Sequence, residues 1–403
     1  MPIEVKLPPL FAINENRRGN TIQQIIYPGS SIEAEQANFT TPKIKGLAII
    51  PKNNDDLEHR ILLVTSRKEI AVSFSKIILT SSIQTVGTGI LDLSSNNWLK
   101  HPSFKEINNH AENLKNVFKS WDNGFSFLYE DEAKNIKGLR EPQKGALHNI
   151  LGHWAVTDDT ATIVMPTGTG KTETMISVLV STKCERLLII VPNDALRTQI
   201  ADKFLTFGVL KNFGVIAFSY LHPVVGILKH KPQTVDEVND FFSKCNVIVT
   251  TSHIAGQANE EDVQERMAHY CSNLFIDEAH HVGADTWKAI KKKFALRRIL
   301  QFTATPFRED DKPVEGKIIF KYSLNRAQEK KFFTKINFKP VRVYARKERD
   351  QAIADLAVQQ LREDRKKFNH ILMARVNSIP RAEKVFSIYK KYEEFNPILL
   401  HSE

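Results

Sequence analysis

The chain has 403 residues, of which 42% are apolar and 25% are charged. This composition is typical of a globular protein and excludes an intrinsically disordered chain. The length exceeds what one compact core usually holds, so we expect two or three domains. No apolar run approaches the roughly 20 residues of a membrane-spanning helix, and the first residues, MPIEVKLPPL, lack the pattern of a secretory signal peptide. We therefore expect a cytoplasmic protein without a membrane partner.

The charge is unevenly distributed along the chain. The net charge is +10, yet residues 1–284 contain 28 Lys and Arg against 31 Asp and Glu, whereas residues 285–403 contain 28 against 15. Clustered positive charge suits a polyanion such as nucleic acid, and a solvated basic surface is the alternative. Three widely spaced cysteines, without CxxC pairs or clustered histidines, predict neither a disulfide framework nor a zinc site.

The first 137 residues predict a β-rich α+β unit of unknown role. Short runs rich in Ile, Val and Ser, separated by polar breaks, indicate strands. These runs lie at 46–50, 61–65, 69–79 and 88–93. Further along, apolar residues recur at intervals of three and four, which predicts an amphipathic helix. They are Phe104, Ile107, Ala111, Leu114, Phe118 and Trp121.

Residues 138–310 predict an α/β domain. Five nearly continuous apolar runs, typical of buried parallel strands, alternate with helical stretches. The runs lie at 161–165, 186–191, 246–250, 273–276 and 298–302. Because parallel strands need long crossover connections, the pattern indicates a doubly wound parallel sheet.

After a linker over 311–339, a second α/β unit is expected in residues 340–403. The predicted strands are 341–345, 370–374 and 397–400, and the predicted helices are 350–366 and 378–392. Two βα units and one further strand do not close a sheet core. We therefore expect an incomplete domain, either truncated from a longer chain, which we favour, or completed by a separate chain.

A phosphate-binding loop is the strongest local signal. Residues 165–174 read MPTGTGKTET between a predicted strand and a predicted helix. Gly168 and Gly170 allow backbone N–H groups to turn towards a phosphate, Lys171 can reach the β and γ phosphates, and Thr172 can ligate Mg²⁺. The strict motif has a glycine where this segment begins with methionine. A glycine-rich turn without a nucleotide is the alternative.

Two carboxylates follow another predicted strand. Asp277 and Glu278 come directly after the run 273–276, at the strand end that faces the nucleotide in P-loop sheets. Asp277 is predicted to hold the Mg²⁺ through water, and Glu278 to position and deprotonate the attacking water. Without a nucleotide site, the two acids would form an exposed turn.

These segments together resemble a known family. MPTGTGKT, FIDEAH and QFTATPF, in this order, resemble motifs I, II and III of the DEAH-type group of superfamily 2 helicases and translocases. The most similar version occurs in restriction-enzyme motor subunits and bacterial defence helicases. The resemblance runs from about residue 138 to 403. It implies a RecA-like fold, ATP and Mg²⁺ as cofactors, and nucleic acid as partner, with DNA favoured over RNA. A nuclease or defence-system protein is a candidate partner.

The resemblance also implies residue roles at the nucleotide. LREPQ at 139–143 resembles an adenine-reading segment, and a solvated glutamine is the alternative there. Catalytic roles are implied for Lys171, Asp277, Glu278 and His280, and metal binding for Thr172 and Asp277. Nucleotide contacts are implied for Arg140, Gln143, Pro166, Thr167, Gly168, Thr169, Gly170, Lys171, Thr172 and Glu173.

Further roles are implied at the nucleic acid. Contacts to its backbone are implied for Pro192, Asn193, Arg197, Gln199, Thr250, Thr251 and Ser252. Polar groups at strand ends suit contacts to phosphate and sugar, although ordinary strand-ending turns look similar. Thr303, Ala304 and Thr305 resemble the motif that links hydrolysis to the nucleic-acid groove, with His280 as the matching partner.

Two functions stay open. One is an ATP-dependent helicase or translocase core, and the other is a nucleotide-gated module that binds nucleic acid or protein with little ATPase. In the family, the second lobe supplies arginines that stabilise the transition state, and no GRxxR-type motif occurs in the 403 residues. A nuclease in residues 1–137 is not expected, because the triplet Glu4, Val5 and Lys6 has no acid before it. DEAH directly after a strand, with TATP downstream, argues against a kinase or a transport ATPase.

Overall fold

The computed structural model describes residues 2–16, 18–42, 44–52, 59–66, 73–83, 85–103, 110–256, 261–281, 284–307, 313–334 and 337–401. The strands are β1 (Ile3–Leu7), β2 (Leu10–Glu15), β3 (Thr21–Tyr27), β4 (Ser30–Thr41), β5 (Ile44–Pro51), β6 (Ile61–Val64), β7 (Lys76–Leu79), β8 (Ile90–Asp92), β9 (Asn97–Lys100), β10 (Ala161–Val164), β11 (Leu187–Val191), β12 (Val225–Ile227), β13 (Val247–Thr251), β14 (Asn273–Ile276), β15 (Arg298–Thr303) and β16 (Lys317–Lys321). The helices are α1 (His110–Ser120), α2 (Glu141–Trp154), α3 (Lys171–Ser181), α4 (Asp194–Thr206), α5 (Val235–Phe242), α6 (Ser252–Gly256), α7 (Glu261–Tyr270), α8 (Ala284–Lys293), α9 (Leu324–Glu329), α10 (Arg349–Asp364) and α11 (Ile379–Tyr389).

A nine-stranded sheet carries the predicted motifs. Its order is β16-β10-β15-β14-β11-β13-β12-β3-β2, and the strands from β16 to β12 are parallel. Successive residues of its central strands enter two different cores: Ile189 of β11 belongs to one and Leu188 and Ile190 to the other. A sheet that buries both faces explains why these strands read as continuous apolar runs. The predicted α/β class, with a doubly wound parallel sheet, is confirmed.

A second sheet of seven strands lies in the N-terminal part of the chain. Its order is β8-β1-β4-β5-β6-β7-β9, with antiparallel and parallel pairs mixed. The predicted strands at 46–50, 61–65 and 88–93 correspond to β5, β6 and β8. Only the end of the run 69–79 is a strand, β7, and residues 69–72 lie outside the described residues.

The hairpin of β2 and β3 joins the nine-stranded sheet instead. β3 pairs antiparallel with β12, placing Ile22 opposite Gly226. The Asn20 side-chain oxygen accepts hydrogen bonds from the backbone N–H groups of Lys229 and His230 at 2.8 and 2.9 Å. Main-chain pairing thus crosses the expected boundary at 137/138, and the pairing of β16 with β10 crosses the one at 310/311.

The amphipathic helix predicted from the apolar residues between 104 and 121 corresponds to α1. It is described from His110, so Phe104 and Ile107 lie outside the described residues. Leu114 and Trp121 are buried as expected, whereas Ala111 is exposed. Among the helices that the structure describes, none is long and apolar enough to cross a membrane.

Residues 334–403 form a separate compact unit. Helices α10 and α11 lie where helices are predicted, but the strands predicted at 341–345, 370–374 and 397–400 are wrong. The described residues of this unit contain no strand. A strand is stable only when a neighbouring strand pairs with its backbone N–H and C=O groups and its apolar side chains pack against a hydrophobic core. Apolar residues of the predicted strands instead stay exposed, at 81–91% for Ile371, Met373, Ile398 and Leu400.

Candidate nucleotide-binding site

Five parallel strands end at one edge of the nine-stranded sheet. They are neighbours in the order β10, β15, β14, β11 and β13. Because adjacent strands lie about 4.8 Å apart, the segments that follow them come within side-chain reach. The loop 165–170, Asp277 and Thr303 mark one half of this edge. Asn193 and Ser252 mark the other half.

The loop 165–170 has the backbone of a phosphate cradle. Gly168 and Gly170 have φ angles of 84° and 92°, in the left-handed region that favours glycine. A Cβ at Gly170 would also overlap the side-chain amide of Gln143, which would have to move. A Cβ at Gly168 would meet no described atom within 4 Å, which leaves this face of the loop open. Thr169 is buried and donates a hydrogen bond to the Pro166 carbonyl at 2.6 Å, whereas Thr167 is exposed.

A lysine and a glutamate from opposite ends of this half meet directly. Lys171 Nζ donates to Glu278 Oε1, and both side chains are largely buried. Glu278 Oε2 accepts no hydrogen bond from the described residues and lies 3.5 Å from His280 Nδ1. The φ angle of Glu278 is 49°, a backbone conformation that costs on the order of 1 kcal/mol for a residue with a side chain. The strained turn aims the carboxylate at the loop.

Asp277 is the deepest acid of the site. It is 5% exposed, its N–H donates to the Ile190 carbonyl at 2.9 Å, and its Oδ1 accepts from the Glu278 N–H at 3.1 Å. Burial raises the pKa of Asp277 to about 6, while the Lys171 ammonium acts to lower it. At neutral pH the carboxylate is ionised in a site with little water, where a cation would stabilise it.

The segments after β14 and β15 are joined through a histidine. His280 Nδ1 lies 2.9 Å from Thr303 Oγ1, and the Thr303 hydroxyl donates to the Thr305 carbonyl at 2.7 Å. Because the hydroxyl has a single proton, Nδ1 of His280 must carry the proton of their shared bond. Thr303 is buried, Ala304 is half-buried and Thr305 is exposed. The contact links the acidic turn to the end of β15.

Three residues predicted to contact the nucleotide are engaged with protein groups. Gln143 accepts from the Arg140 N–H at 2.7 Å and points its amide at the Gly170 carbonyl, 3.4 Å away. The Arg140 guanidinium lies over the ring of Phe332, 5.5 Å from its centre. Glu173 accepts from Lys203 Nζ at 2.8 Å. Adenine reading by Gln143 stays a prediction. Lys203 is not among the residues predicted from the sequence, because no local sequence pattern shows that α4 packs beside α3.

The residues predicted to contact nucleic acid divide by exposure. Asn193 is exposed and caps α4, since its Oδ1 accepts from the Leu196 N–H at 3.0 Å. Arg197 is 6% exposed and pairs with Asp194 at 2.8 Å. The half-buried or exposed members are Pro192, Asn193, Gln199 and Ser252, and the buried members are Arg197, Thr250 and Thr251.

The residues present fit ATP with Mg²⁺. The open face at Gly168 offers room beside the loop, and Glu278 Oε2, which accepts no hydrogen bond from the described residues, offers a buried acceptor for a water molecule. The Asp277 carboxylate and the Thr172 hydroxyl, in the first turn of α3, are oxygen ligands of the kind that Mg²⁺ prefers.

Residues 136–308 match the family described as "Type III restriction enzyme, res subunit". This part of the chain is superfamily 2 helicase-like. We call residues 136–308 the helicase-like lobe. No match was found among the curated proteins.

Solved helicases are among the structures similar to this chain. Two structures of the UvsW helicase of bacteriophage T4 match with 18% and 16% identity, cover 47% and 68% of this chain, and have TM-scores of 0.30 and 0.33. The Hef helicase domain of Pyrococcus furiosus matches with 16% identity, 62% coverage and a TM-score of 0.32. The chain spans 59%, 54% and 54% of the lengths of these three solved chains.

Proposed function

We propose that the chain is the ATP-binding core of a DEAH-type superfamily 2 helicase or translocase that couples ATP hydrolysis to movement on nucleic acid. The observation that carries the proposal is the meeting of Lys171 with Glu278, beside Asp277, at one sheet edge. DNA is favoured over RNA because the motifs resemble those of restriction-enzyme motor subunits. A nuclease or defence-system protein is the proposed partner protein.

The residues of the lobe suggest how hydrolysis proceeds. Bound ATP with Mg²⁺ supplies the transferable phosphoryl group and the neutralising charge. Lys171 would exchange its contact with Glu278 for phosphate oxygens, and Thr172 and Asp277 would hold the metal. The released Glu278 would orient a water molecule and accept its proton.

The link from hydrolysis to nucleic acid runs through neighbouring strand ends. The bond between His280 and Thr303 ties the acidic turn to the end of β15. Two and three strands away from β15, Asn193 after β11 and Ser252 after β13 present accessible polar groups that suit phosphate and sugar contacts. The excess of basic residues in 285–403 adds sequence-independent attraction for a polyanion.

The test is ATP hydrolysis by the full chain, alone and with single-stranded DNA, duplex DNA or RNA. We expect stimulation by DNA, and turnover at least about 100-fold lower in Glu278→Gln with ATP binding retained, because the carboxylate acts only in the chemical step. Glu185→Gln, an exposed glutamate of the same lobe, is the matched control. Stimulation by RNA alone would contradict the DNA assignment, and equal turnover in both variants would contradict the role of Glu278.

One observation favours the second function, a nucleotide-gated binding module. The described residues of 334–403 consist of helices and connecting segments, with no sheet at which a second lobe could present groups to the phosphate. Tight binding of ATP and DNA with turnover that DNA does not change would support this function.

A further inference from the structure

An ion pair joins the helix of the phosphate loop to the helix that follows β11. Glu173 lies in the first turn of α3, directly after Thr172, and accepts a hydrogen bond from Lys203 Nζ at 2.8 Å. The Glu173 side chain is 11% exposed and that of Lys203 36%. Charge-assisted bonds of this length are among the stronger polar contacts in proteins.

The geometry of α3 sends Glu173 away from the phosphate loop. Residues two positions apart on an α-helix point about 200° apart, so Lys171 and Glu173 face nearly opposite directions. Lys171 reaches Glu278, while Glu173 reaches α4. The position of Gly208, two residues beyond the end of α4, agrees with this direction, because a Cβ at Gly208 would lie 3.6 Å from Glu173 Oε1.

Helix α4 connects this ion pair to the other half of the sheet edge. The helix begins after the exposed cap residue Asn193 and extends over 13 residues, or about 20 Å. Lys203 lies in its last turn, where its carbonyl accepts the N–H of Gly208 at 2.8 Å. One end of a rigid helix therefore sits at a candidate nucleic-acid contact, and the other end is held to the phosphate-loop helix.

We propose that the ion pair of Glu173 and Lys203 is a positioning contact that couples nucleic-acid binding at the start of α4 to nucleotide binding at the start of α3. The proposal rests on the proposed function, in which both ligands bind this lobe. When nucleic acid binds at the start of α4, a movement of α4 would move Lys203. Lys203 would then move α3 through Glu173, and with it Lys171 and Thr172. We assign the pair a positioning role, in which it sets how strongly one ligand affects the other, in place of the nucleotide contact predicted for Glu173 from the sequence.

The test measures coupling at equilibrium and so does not depend on turnover. A non-hydrolysable ATP analogue with Mg²⁺ is titrated into the full chain, with and without a saturating single-stranded oligodeoxynucleotide. Coupling between sites commonly changes affinity by about 5- to 150-fold. In Lys203→Met we expect this ratio to fall below about 2-fold, while the affinity for the analogue alone changes by less than about 2-fold. Titrating the oligonucleotide with and without the analogue must give the same ratio, because coupling is reciprocal.

Matched variants separate positioning from folding. Lys203→Arg keeps the charge and should keep most of the coupling. Lys183→Met removes a lysine contact to Asp122 next to the far end of α3 and should leave the ratio unchanged. Glu173→Gln removes the charge with little change in volume and serves as the test variant if Lys203→Met does not fold.

The outcomes are distinguishable. A wild-type chain that couples the two ligands, with the same ratio in Lys203→Met and Glu173→Gln, would refute this inference and leave the proposed function intact. A variant whose affinity for the analogue falls equally with and without oligonucleotide would show a structural role and also overturn it. A wild-type chain that binds no nucleic acid would refute the proposed function, and the inference with it.

Discussion

The two halves of the sheet edge use their polar side chains differently. After β10, β14 and β15, groups from distant segments meet one another, as Lys171 meets Glu278. After β11, polar side chains contact residues close to them in sequence. Asn193 caps its own helix, and Arg197 pairs with Asp194, three residues before it. Chemistry on a phosphate needs charges fixed in a dry site, whereas contacts along a polymer backbone can use exposed caps and N–H groups.

A large effect is expected in the nucleotide half, for Asp277→Asn. Loss of the carboxylate should weaken Mg²⁺-dependent binding of ATP by at least about 30-fold, because an amide is a neutral and poorer ligand for a hard cation. Titration of an ATP analogue at several Mg²⁺ concentrations measures this loss. Unchanged Mg²⁺ dependence would remove Asp277 from the site.

The same variant should be more stable at neutral pH. Burial raises the pKa of Asp277 to about 6 from 3.8, so the folded chain binds a proton more tightly than the unfolded chain. The contribution of Asp277 to the free energy of unfolding is therefore most favourable below pH 3.8, is lost as the pH rises to about 6, and stays lost above. Urea unfolding at pH 7.5 should show Asp277→Asn more stable by on the order of 2 kcal/mol. A less stable variant would contradict the assigned burial cost.

A smaller effect is expected where the acidic turn meets β15. His280→Ala removes the bond to Thr303, so stimulation of ATP hydrolysis by nucleic acid should fall about 10-fold, an effect in the range of one lost hydrogen bond. Affinity for the ATP analogue should change by less than about 2-fold. Thr303→Ser keeps the hydroxyl and should behave as wild type. An equal fall in stimulated and unstimulated rates would argue for a role in the chemical step instead.

The smallest effect is expected in the other half, at Asn193. Asn193→Asp keeps the helix cap, so stability should stay within about 0.5 kcal/mol, while the added negative charge should weaken nucleic-acid binding by roughly 3- to 10-fold at low salt. Filter binding at two salt concentrations and urea unfolding measure both quantities. Thr234→Ala removes the cap of α5 and should cost about 1 kcal/mol without affecting binding. If Asn193→Asp binds nucleic acid as tightly as wild type, Asn193 does not contact the nucleic acid.

The nucleotide half could be predicted because its signals are local. The loop at Gly168 and Gly170 and the acids at 277 and 278 each stand directly after an apolar strand, and parallel strands bring such segments to one edge. The pairing of Glu173 with Lys203 could not be predicted, since it depends on how α3 and α4 lie against each other.

Long-range strand pairing also explains why the sequence did not predict the position of the β2–β3 hairpin and why the strands predicted in residues 334–403 are wrong. The hairpin of β2 and β3 pairs with β12 through contacts across some 200 residues, as between Asn20 and His230, and no sequence pattern specifies such a partner. In residues 334–403, apolar runs such as 370–374 predict strands, yet a run does not show whether a neighbouring strand exists to pair with it.

The most direct test of the account is equilibrium binding of ATP with Mg²⁺ by the full chain and by Lys171→Ala, with Lys183→Ala as the matched lysine control in the same lobe. We expect wild type and Lys183→Ala to bind with affinities within about 2-fold of each other, and Lys171→Ala to bind at least about 100-fold more weakly, because a phosphate cradle without its lysine loses its strongest positive partner. Equal binding by Lys171→Ala and Lys183→Ala would contradict the claim that this sheet edge is a nucleotide site.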